Sequence, residues 1–318
     1  PPPRRQPRMT ESIAHPRVGF VGLGNMGLPM CHRLVEAGYD VVAFDLRREA
    51  VDQAVAAGAS TATSAVELAG DVDVLLTSLP APPHVEAVMR AGGALAAMRP
   101  GSLWIDLTTN RRSLVESLAA EAPAGVAVVD SPVTGAVDGA RTGRLTLFAG
   151  GAADDLARAV PLLSELGRVI ECGPLGTGNV VKLVTNQLWF VHAATIGEGF
   201  ALGMANGVAL DVLYDAICDS VGDSFVARHD APSIFAGHYA PSFTLALCLK
   251  DLGLLAERQP AVGAELPMTT AAHAVFADAA DRYGADVGEL HVAKRLEDDG
   301  QLSFRLDGDW VAPWDVTD

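Results

Sequence analysis

The chain has 318 residues, 49% of them hydrophobic, and a formal net charge of −16. That length allows one large or two medium domains, and the acidic balance argues against a nucleic-acid partner, which needs a basic patch. No apolar run is long enough to span a membrane, and the four scattered cysteines (Cys31, Cys172, Cys218, Cys248) form no C-x-x-C pair. Reduced thiols in a cytoplasmic protein are therefore expected, without a zinc site or a disulfide framework. The eight histidines do not pair at metal-ligand spacing.

Residues 1–16 are rich in Pro and Arg, lack the apolar segment of a secretory signal, and read as a disordered tail. Arg17–Leu23 is a short apolar run with the character of a buried strand. It leads into Gly22-Leu23-Gly24-Asn25-Met26-Gly27, a G-x-G-x-x-G. An amphipathic helix over Pro29–Ala37 follows, and then a second strand, Asp40–Asp45. Strand, glycine turn, helix and strand in this order are the context in which the fingerprint binds a dinucleotide. The first glycine makes the turn, the second admits the pyrophosphate, and the third lets helix and strand pack. Asp45, at the end of the second strand, can accept the ribose hydroxyls and would repel a 2′-phosphate. Arg47 and Arg48 could hold that phosphate instead; the acid favours NAD over NADP.

Strands at Asp73–Leu79, Ser102–Asp106 and Val126–Asp130 alternate with helical stretches at Arg48–Ala57, His84–Met98 and Asn110–Ala122. Repeated units of this size predict a doubly wound parallel α/β sheet, with ligands at the carboxyl ends of its strands. Those ends carry Leu79-Pro80, Thr108-Thr109 and the small-residue turn Thr134-Gly135-Ala136. Successive backbone N–H groups in such a turn suit a carboxylate, although the turn taken alone reads better as an ordinary surface turn. Leu145–Ala149 reads as an edge strand, Asp154–Leu166 as a helix and Arg168–Glu171 as the last strand.

Beyond Gly178 the pattern becomes helical throughout. A long helix from Asn179 to about Ala205 joins the two halves, and further helices are expected at Leu210–Ser220, Ser224–His229, Phe243–Gln259, Met268–Tyr283 and Asp286–Asp298. The domains are thus a dinucleotide-binding Rossmann unit over 17–178, an all-helical unit over 179–300 and an irregular tail over 301–318. On the long helix, Lys182 and Asn186 are four apart and share a face among apolar neighbours. The chain has only three lysines, Lys182, Lys250 and Lys294, among its 23 basic residues. Arg cannot deprotonate in a protein and Lys can, so a lysine kept in an apolar helix is a candidate acid–base group. A lysine that reaches out to solvent is the competing reading. Lys250-Asp251, from the residues alone, reads as a solvated helix pair.

Four stretches taken together resemble the β-hydroxyacid dehydrogenases, a family that includes 3-hydroxyisobutyrate dehydrogenase and tartronate semialdehyde reductase. They are GFVGLGNMGLPM (19–30), DSPVTGAVDGA (130–140), GPLGTGNVVKLVTN (173–186) and KDLGLL (250–255). The resemblance covers roughly residues 17–300. It implies reversible hydride transfer between NAD and a small β-hydroxy acid, in a homodimer or homotetramer built through the helical domain. It further implies Lys182 as catalytic lysine, Asn186 as the residue orienting substrate, and Thr134-Gly135-Ala136 as the carboxylate site. Thr109 and Lys250 are implied to lie against the cofactor, with Gly22–Gly27, Asp45, Leu79 and Pro80. Thr134 and Ala136 stand where Ser and Gly are commoner, and both add bulk there. Trp189 and Phe190 put aromatic bulk just past Asn186, which favours a small or apolar-tailed substrate. Competing readings are a 6-phosphogluconate dehydrogenase-like enzyme, an imine reductase, and a dinucleotide-binding protein without turnover. The first would carry His where Thr185 stands, and Lys182 speaks against the other two.

Overall fold

Side chains alternate faces along a strand, and here both faces are apolar. Phe20, Ala43, Leu76, Ile105 and Val129 point into one core layer; their neighbours Val21, Val42, Leu75, Trp104 and Val128 point into another. Strands of this kind are stable only with helices on both sides. The computed structural model describes residues 15–239 and 243–310 and has that arrangement. Strands β1 (Val18–Val21), β2 (Val41–Phe44), β3 (Ser60–Thr61), β4 (Val74–Thr77), β5 (Leu103–Asp106) and β6 (Ala127–Asp130) run parallel in the order β3-β2-β1-β4-β5-β6. This is the doubly wound order, in which the chain reverses its direction of travel beside β1. Helices α1 (Gly27–Glu36) and α2 (Arg48–Ala56) cover the first layer, and α3 (Ala65–Asp71) the second. The second also packs α4 (Pro82–Glu86), which continues as a π-helical turn over Ala87–Ala91, with α5 (Ala94–Ala97) and α6 (Arg112–Glu121).

The unit is completed by β7 (Val133–Thr134), α7 (Ala136–Thr142), β8 (Leu145–Gly150), α8 (Ala153–Leu163) and β9 (Gly167–Gly173). The expectation that 145–149 forms an edge strand is corrected here. In β8, Gly150 lies opposite Asp130 and Thr146 opposite Thr134, both antiparallel, and β9 runs parallel along it. The edge is β9, only half buried, whose Arg168, Glu171 and Cys172 suit that place. Strand β3 and helix α3 are further elements that the apolar pattern did not predict. The first has two exposed residues, and the second is set by Ser64, whose hydroxyl accepts from Glu67 N at 3.1 Å.

Helix α9 (Thr177–Ala205) is 29 residues long and links the sheet to the helical half. It packs against α10 (Leu210–Cys218), α12 (Leu245–Val262), α13 (Pro267–Tyr283) and α14 (His291–Gly300) around a third core with Phe190, Phe200, Phe235 and Phe276 at its centre. The helix expected at Ser224–His229 begins as a π-helical turn, Val226–Asp230, and runs on into α11 (Ala231–Ala236). Residues 302–310 are irregular in backbone, yet Phe304 is fully buried and Arg305 pairs with Glu297 at 2.9 Å. The expected N-terminal tail lies outside the described residues but for its last two positions, and residues 311–318 lie outside them altogether.

Candidate active site

Three neighbouring strands end in polar groups that are fully buried: Thr77 on β4, Asp106 on β5 and Asp130 on β6. Buried polar groups must find partners, and here the partners lead from strand to strand. Asp106 Oδ1 accepts from Thr77 Oγ1 at 2.8 Å and from Thr108 N at 3.1 Å, and Oδ2 accepts from Asn110 Nδ2 at 2.9 Å. Asn110 N donates to Asn179 Oδ1 at 2.6 Å. Asp130 Oδ2 accepts from Asn179 N at 2.7 Å and Nδ2 at 3.0 Å, and Oδ1 accepts from Gly176 N at 2.6 Å. Burial raises both carboxyls, Asp130 to about 6, against the pull of these donors. The first turn of α9 is thereby tied to the strand ends. At Gly178 the contact is so close that a Cβ would stand 2.0 Å from the Phe148 carbonyl oxygen.

One turn on, Lys182 is 6% exposed and Asn186 is 3% exposed. The lysine does not reach out to solvent. Burial lowers its pKa from 10.5 to about 8; Asp251 opposes this and Lys250 adds to it. Asn186 Nδ2 donates to Asp251 Oδ2 at 2.7 Å. An ionised carboxylate only accepts, so the amide orientation is fixed and Asn186 Oδ1 faces away from Asp251. The other oxygen of Asp251 lies 3.1 Å from Lys250 Nζ, an ion pair without hydrogen-bond alignment. Lys250 Nζ also donates to the Pro80 carbonyl at 3.4 Å, bridging α12 to the end of β4. Lys182, Asn186, Lys250 and Pro80 thus meet in one cluster, and Asp251 is its hub.

The glycine turn lies at the carboxyl end of β1. Gly22 has φ +96°, and a Cβ on it would stand 2.3 Å from the Ser78 carbonyl oxygen. A Cβ on Gly27 would stand 2.0 Å from the Gly22 oxygen, whereas a Cβ on Gly24 would meet nothing within 4 Å. The outer glycines are therefore fixed by packing within the turn, and the middle one leaves the open approach that a pyrophosphate needs. Asp45 Oδ2 accepts from Leu23 N at 2.7 Å, which holds the acid against this turn. Burial works against the charged form of Asp45, but hydrogen bonds from Arg47 and Leu23 prevail and keep the carboxyl below its ordinary range. Leu79 N donates to Thr108 Oγ1 at 3.0 Å, and Thr109 follows it, half-buried. These residues fit a dinucleotide laid along the strand ends.

The Thr134–Ala136 turn is reached from β6 through Ser131 and Pro132. Gly135 has φ +124° and Ala136 φ +54°, so a non-glycine residue occupies the left-handed region. Among the described residues no hydrogen bond joins this turn to Lys182; both depend on Asp130, one through the chain and one through α9. The aromatic pair requires a correction. Phe190 is fully buried and packs on Phe276 with ring centroids 5.4 Å apart, inside the helical core. Trp189 alone stays partly exposed, 5.4 Å from Phe243, with its indole N–H on Asp230 Oδ2 at 2.8 Å. Sequence reasoning missed Asp251, Asn179, Asn110 and Asp106. The one available signal was a carboxylate closing an otherwise apolar strand, as in LWID and VAVVD. Among the described residues no cluster of three or more His, Cys, Asp or Glu could hold a metal ion, and no helix is long and apolar enough to cross a membrane.

A Rossmann sheet with an open glycine turn, followed by a helical domain that brings lysines to the strand ends, defines a dinucleotide-dependent oxidoreductase. A family profile described as the NAD binding domain of 6-phosphogluconate dehydrogenase matches residues 17–176. A second, described as NAD-binding of NADP-dependent 3-hydroxyisobutyrate dehydrogenase, matches residues 176–296. An NAD-dependent L-serine dehydrogenase of Pseudomonas aeruginosa is 37% identical over 82% of this chain and 91% of its own length. A 3-hydroxyisobutyrate dehydrogenase of the same organism is 36% identical over 88% of this chain and 99% of its own. The solved structure of 3-hydroxyisobutyrate dehydrogenase from Mycobacterium tuberculosis with L-serine superposes with a TM-score of 0.83 at 33% identity, covering 88% of this chain and 99% of that one. The chain belongs to the β-hydroxyacid dehydrogenase family and is an NAD(P)-dependent oxidoreductase acting on the CH–OH group of hydroxy acids.

Proposed function

We propose that the enzyme interconverts a small β-hydroxy acid, of the 3-hydroxyisobutyrate kind, and its carbonyl form with NAD, using Lys182 as the general acid and base. The observation that carries this reading is a buried amine with its pKa near 8, beside an asparagine whose orientation is fixed by a buried carboxylate. Near neutral pH such a lysine exists in both forms, as proton transfer in two directions requires. The named substrates of two relatives, L-serine and 3-hydroxyisobutyrate, both carry a hydroxyl β to a carboxylate. The Thr134–Ala136 turn holds the carboxylate, and the hydroxyl meets Lys182 and Asn186. When bound, the nicotinamide accepts or returns the hydride. Neutral Lys182 takes the hydroxyl proton in oxidation, and its ammonium gives the proton back in reduction. Lys250 closes the cluster over Pro80.

NAD is preferred over NADP because Asp45 is ionised at the end of β2 and both candidate phosphate-binding arginines are engaged. Arg47 Nε lies 3.3 Å from Asp45 Oδ1 and its Nη2 donates to the Leu23 carbonyl at 2.8 Å, while Arg48 pairs with Asp52 at 2.8 Å. A homodimer or homotetramer fits the exposed apolar row of Val180, Val184 and Leu188 along one side of α9. The four free cysteines suit a reducing cytoplasmic compartment.

The test is a dehydrogenation screen of hydroxy acids with NAD and NADP, with each active acid repeated as the matched alcohol lacking the carboxylate. Turnover of small β-hydroxy acids, faster with NAD and lost with the alcohols, is expected. Equal rates with and without the carboxylate would refute the role of the 134–136 turn, and a clear NADP preference would refute the role of Asp45.

A further inference from the structure

The lysine helix does not rest on the sheet through apolar packing alone. Its first turn is held by Asp130 and Asn179, both fully buried. Asn179 is bonded on two sides: its Nδ2 and N donate to Asp130 Oδ2, and its Oδ1 accepts from Asn110 N. Asn110 in turn is fixed to Asp106, and Asp106 to Thr77. The chain of bonds therefore runs across the carboxyl ends of β4, β5 and β6, where a ligand of a doubly wound sheet lies, and ends on the helix that carries Lys182. Asn179 and Lys182 are three apart, so a shift of one moves the other with it. Asp130 also begins the segment that leads to the Thr134–Ala136 turn. One carboxylate thus sets the place of both the amine and the turn.

We infer that Asp130 and Asn179 are positioning residues for the reaction: the Asp106–Asn110–Asn179–Asp130 chain fixes how far α9 advances over the strand ends, and so where the amine of Lys182 meets the substrate hydroxyl. The inference rests on Lys182 being the acid–base group. Neither residue touches the reacting atoms. Low-energy packing would have placed apolar side chains here, since buried carboxylates are costly to desolvate. A satisfied polar network instead admits one register between helix and sheet.

The test uses two variants of the full chain. Asp130→Asn keeps the side-chain shape but turns an amide N–H toward a backbone N–H that now donates to an oxygen. Asn179→Ala removes the link to Asn110 while leaving the backbone bonds to Asp130 in place, and so decides the matter if Asp130→Asn does not fold. Saturated kcat for hydroxy-acid oxidation, KM, NAD affinity by fluorescence quenching and the pH profile of kcat are measured for both. A displacement of about 1 Å at the reacting groups costs on the order of 10²-fold in rate. We expect kcat to fall by about ten- to a hundredfold, with NAD affinity changed by less than about threefold. The limb along which kcat for oxidation rises with pH moves to higher pH as Lys182 gains solvent; the charged groups facing it, Asp251 and Lys250, are untouched by either change. A network with a structural role only would lower the melting temperature and leave kcat and the pH limb of the folded enzyme unchanged, which would overturn the inference. Lys182→Arg, measured alongside, separates the two ideas. If it is inactive while Asn179→Ala is normal, only the positioning role fails; if it is active, the acid–base reading fails and takes the positioning role with it.

Discussion

The two walls of the candidate site, sheet and helical, are built from different chemistry. The sheet wall offers backbone groups, glycine turns and two buried carboxylates, Asp106 and Asp130, whose hydrogen-bond partners are all neutral donors. Apart from Asp45 beside the glycine turn, the ion pairs of the site belong to the helical wall: Lys182, Lys250 and, between them, Asp251. A carboxylate among neutral donors fixes geometry, whereas Asp251 also bears on the charge of the buried Lys182. Cofactor binding should therefore respond to changes at the glycine turn and Asp45, and turnover and its pH dependence to changes on the helical wall and at the Asp130–Asn179 joint that seats it.

The largest effect is expected at Lys182. Arg keeps the charge and much of the stem but cannot become neutral near pH 7. Lys182→Arg should lose at least about 10²-fold in kcat with NAD affinity little changed, as measured by turnover and fluorescence quenching. Asp251→Asn comes next. The amide retains an acceptor for Asn186, so the substitution isolates the charge. Asp251 raises the lysine pKa, so its neutralisation should move the pH limb of kcat below about 8, with a loss in kcat of about tenfold. An unchanged limb would break the assignment of charge control to the helical wall. On the sheet wall, Asp45→Ser should raise KM for NAD several-fold, narrow the gap between NAD and NADP, and leave the pH profile of kcat where it was. A shifted pH profile would blur the distinction between the walls. The smallest effect is expected at Ala136. Its left-handed conformation costs about 1–2 kcal/mol for a non-glycine residue, so Ala136→Gly should stabilise the fold by about 1 kcal/mol, read by urea denaturation.

Much of the sheet wall was legible in the sequence. Short β-branched runs with both faces apolar can only be strands under helices, and a glycine turn after the first of them has one common use. The order of strands past β6 was not legible, because pairing depends on which strand finally stands at the edge, and β8 reads like an edge until β9 is laid along it. The Lys182–Asn186 pair could be read because helical spacing brings it together locally. Asp251 could not, since its partner Asn186 is 65 positions away and the pairing exists only once α9 and α12 have packed. Trp189 and Phe190 show the limit on a finer scale. Adjacent residues on a helix point about 100° apart, so Phe190 enters the helical core while Trp189 stays at its partly exposed margin beside Phe243.

The central claim is that Lys182 transfers the proton, and the pH dependence of kcat in the two directions tests it most directly. Oxidation needs the neutral amine and reduction the ammonium, and the amine titrates near 8. In the wild-type enzyme, kcat for oxidation should rise through about pH 8 while kcat for reduction falls through the same region, and both limbs should vanish in the residual activity of Lys182→Arg. Limbs that run in the same direction, or that persist in Lys182→Arg, would contradict the account.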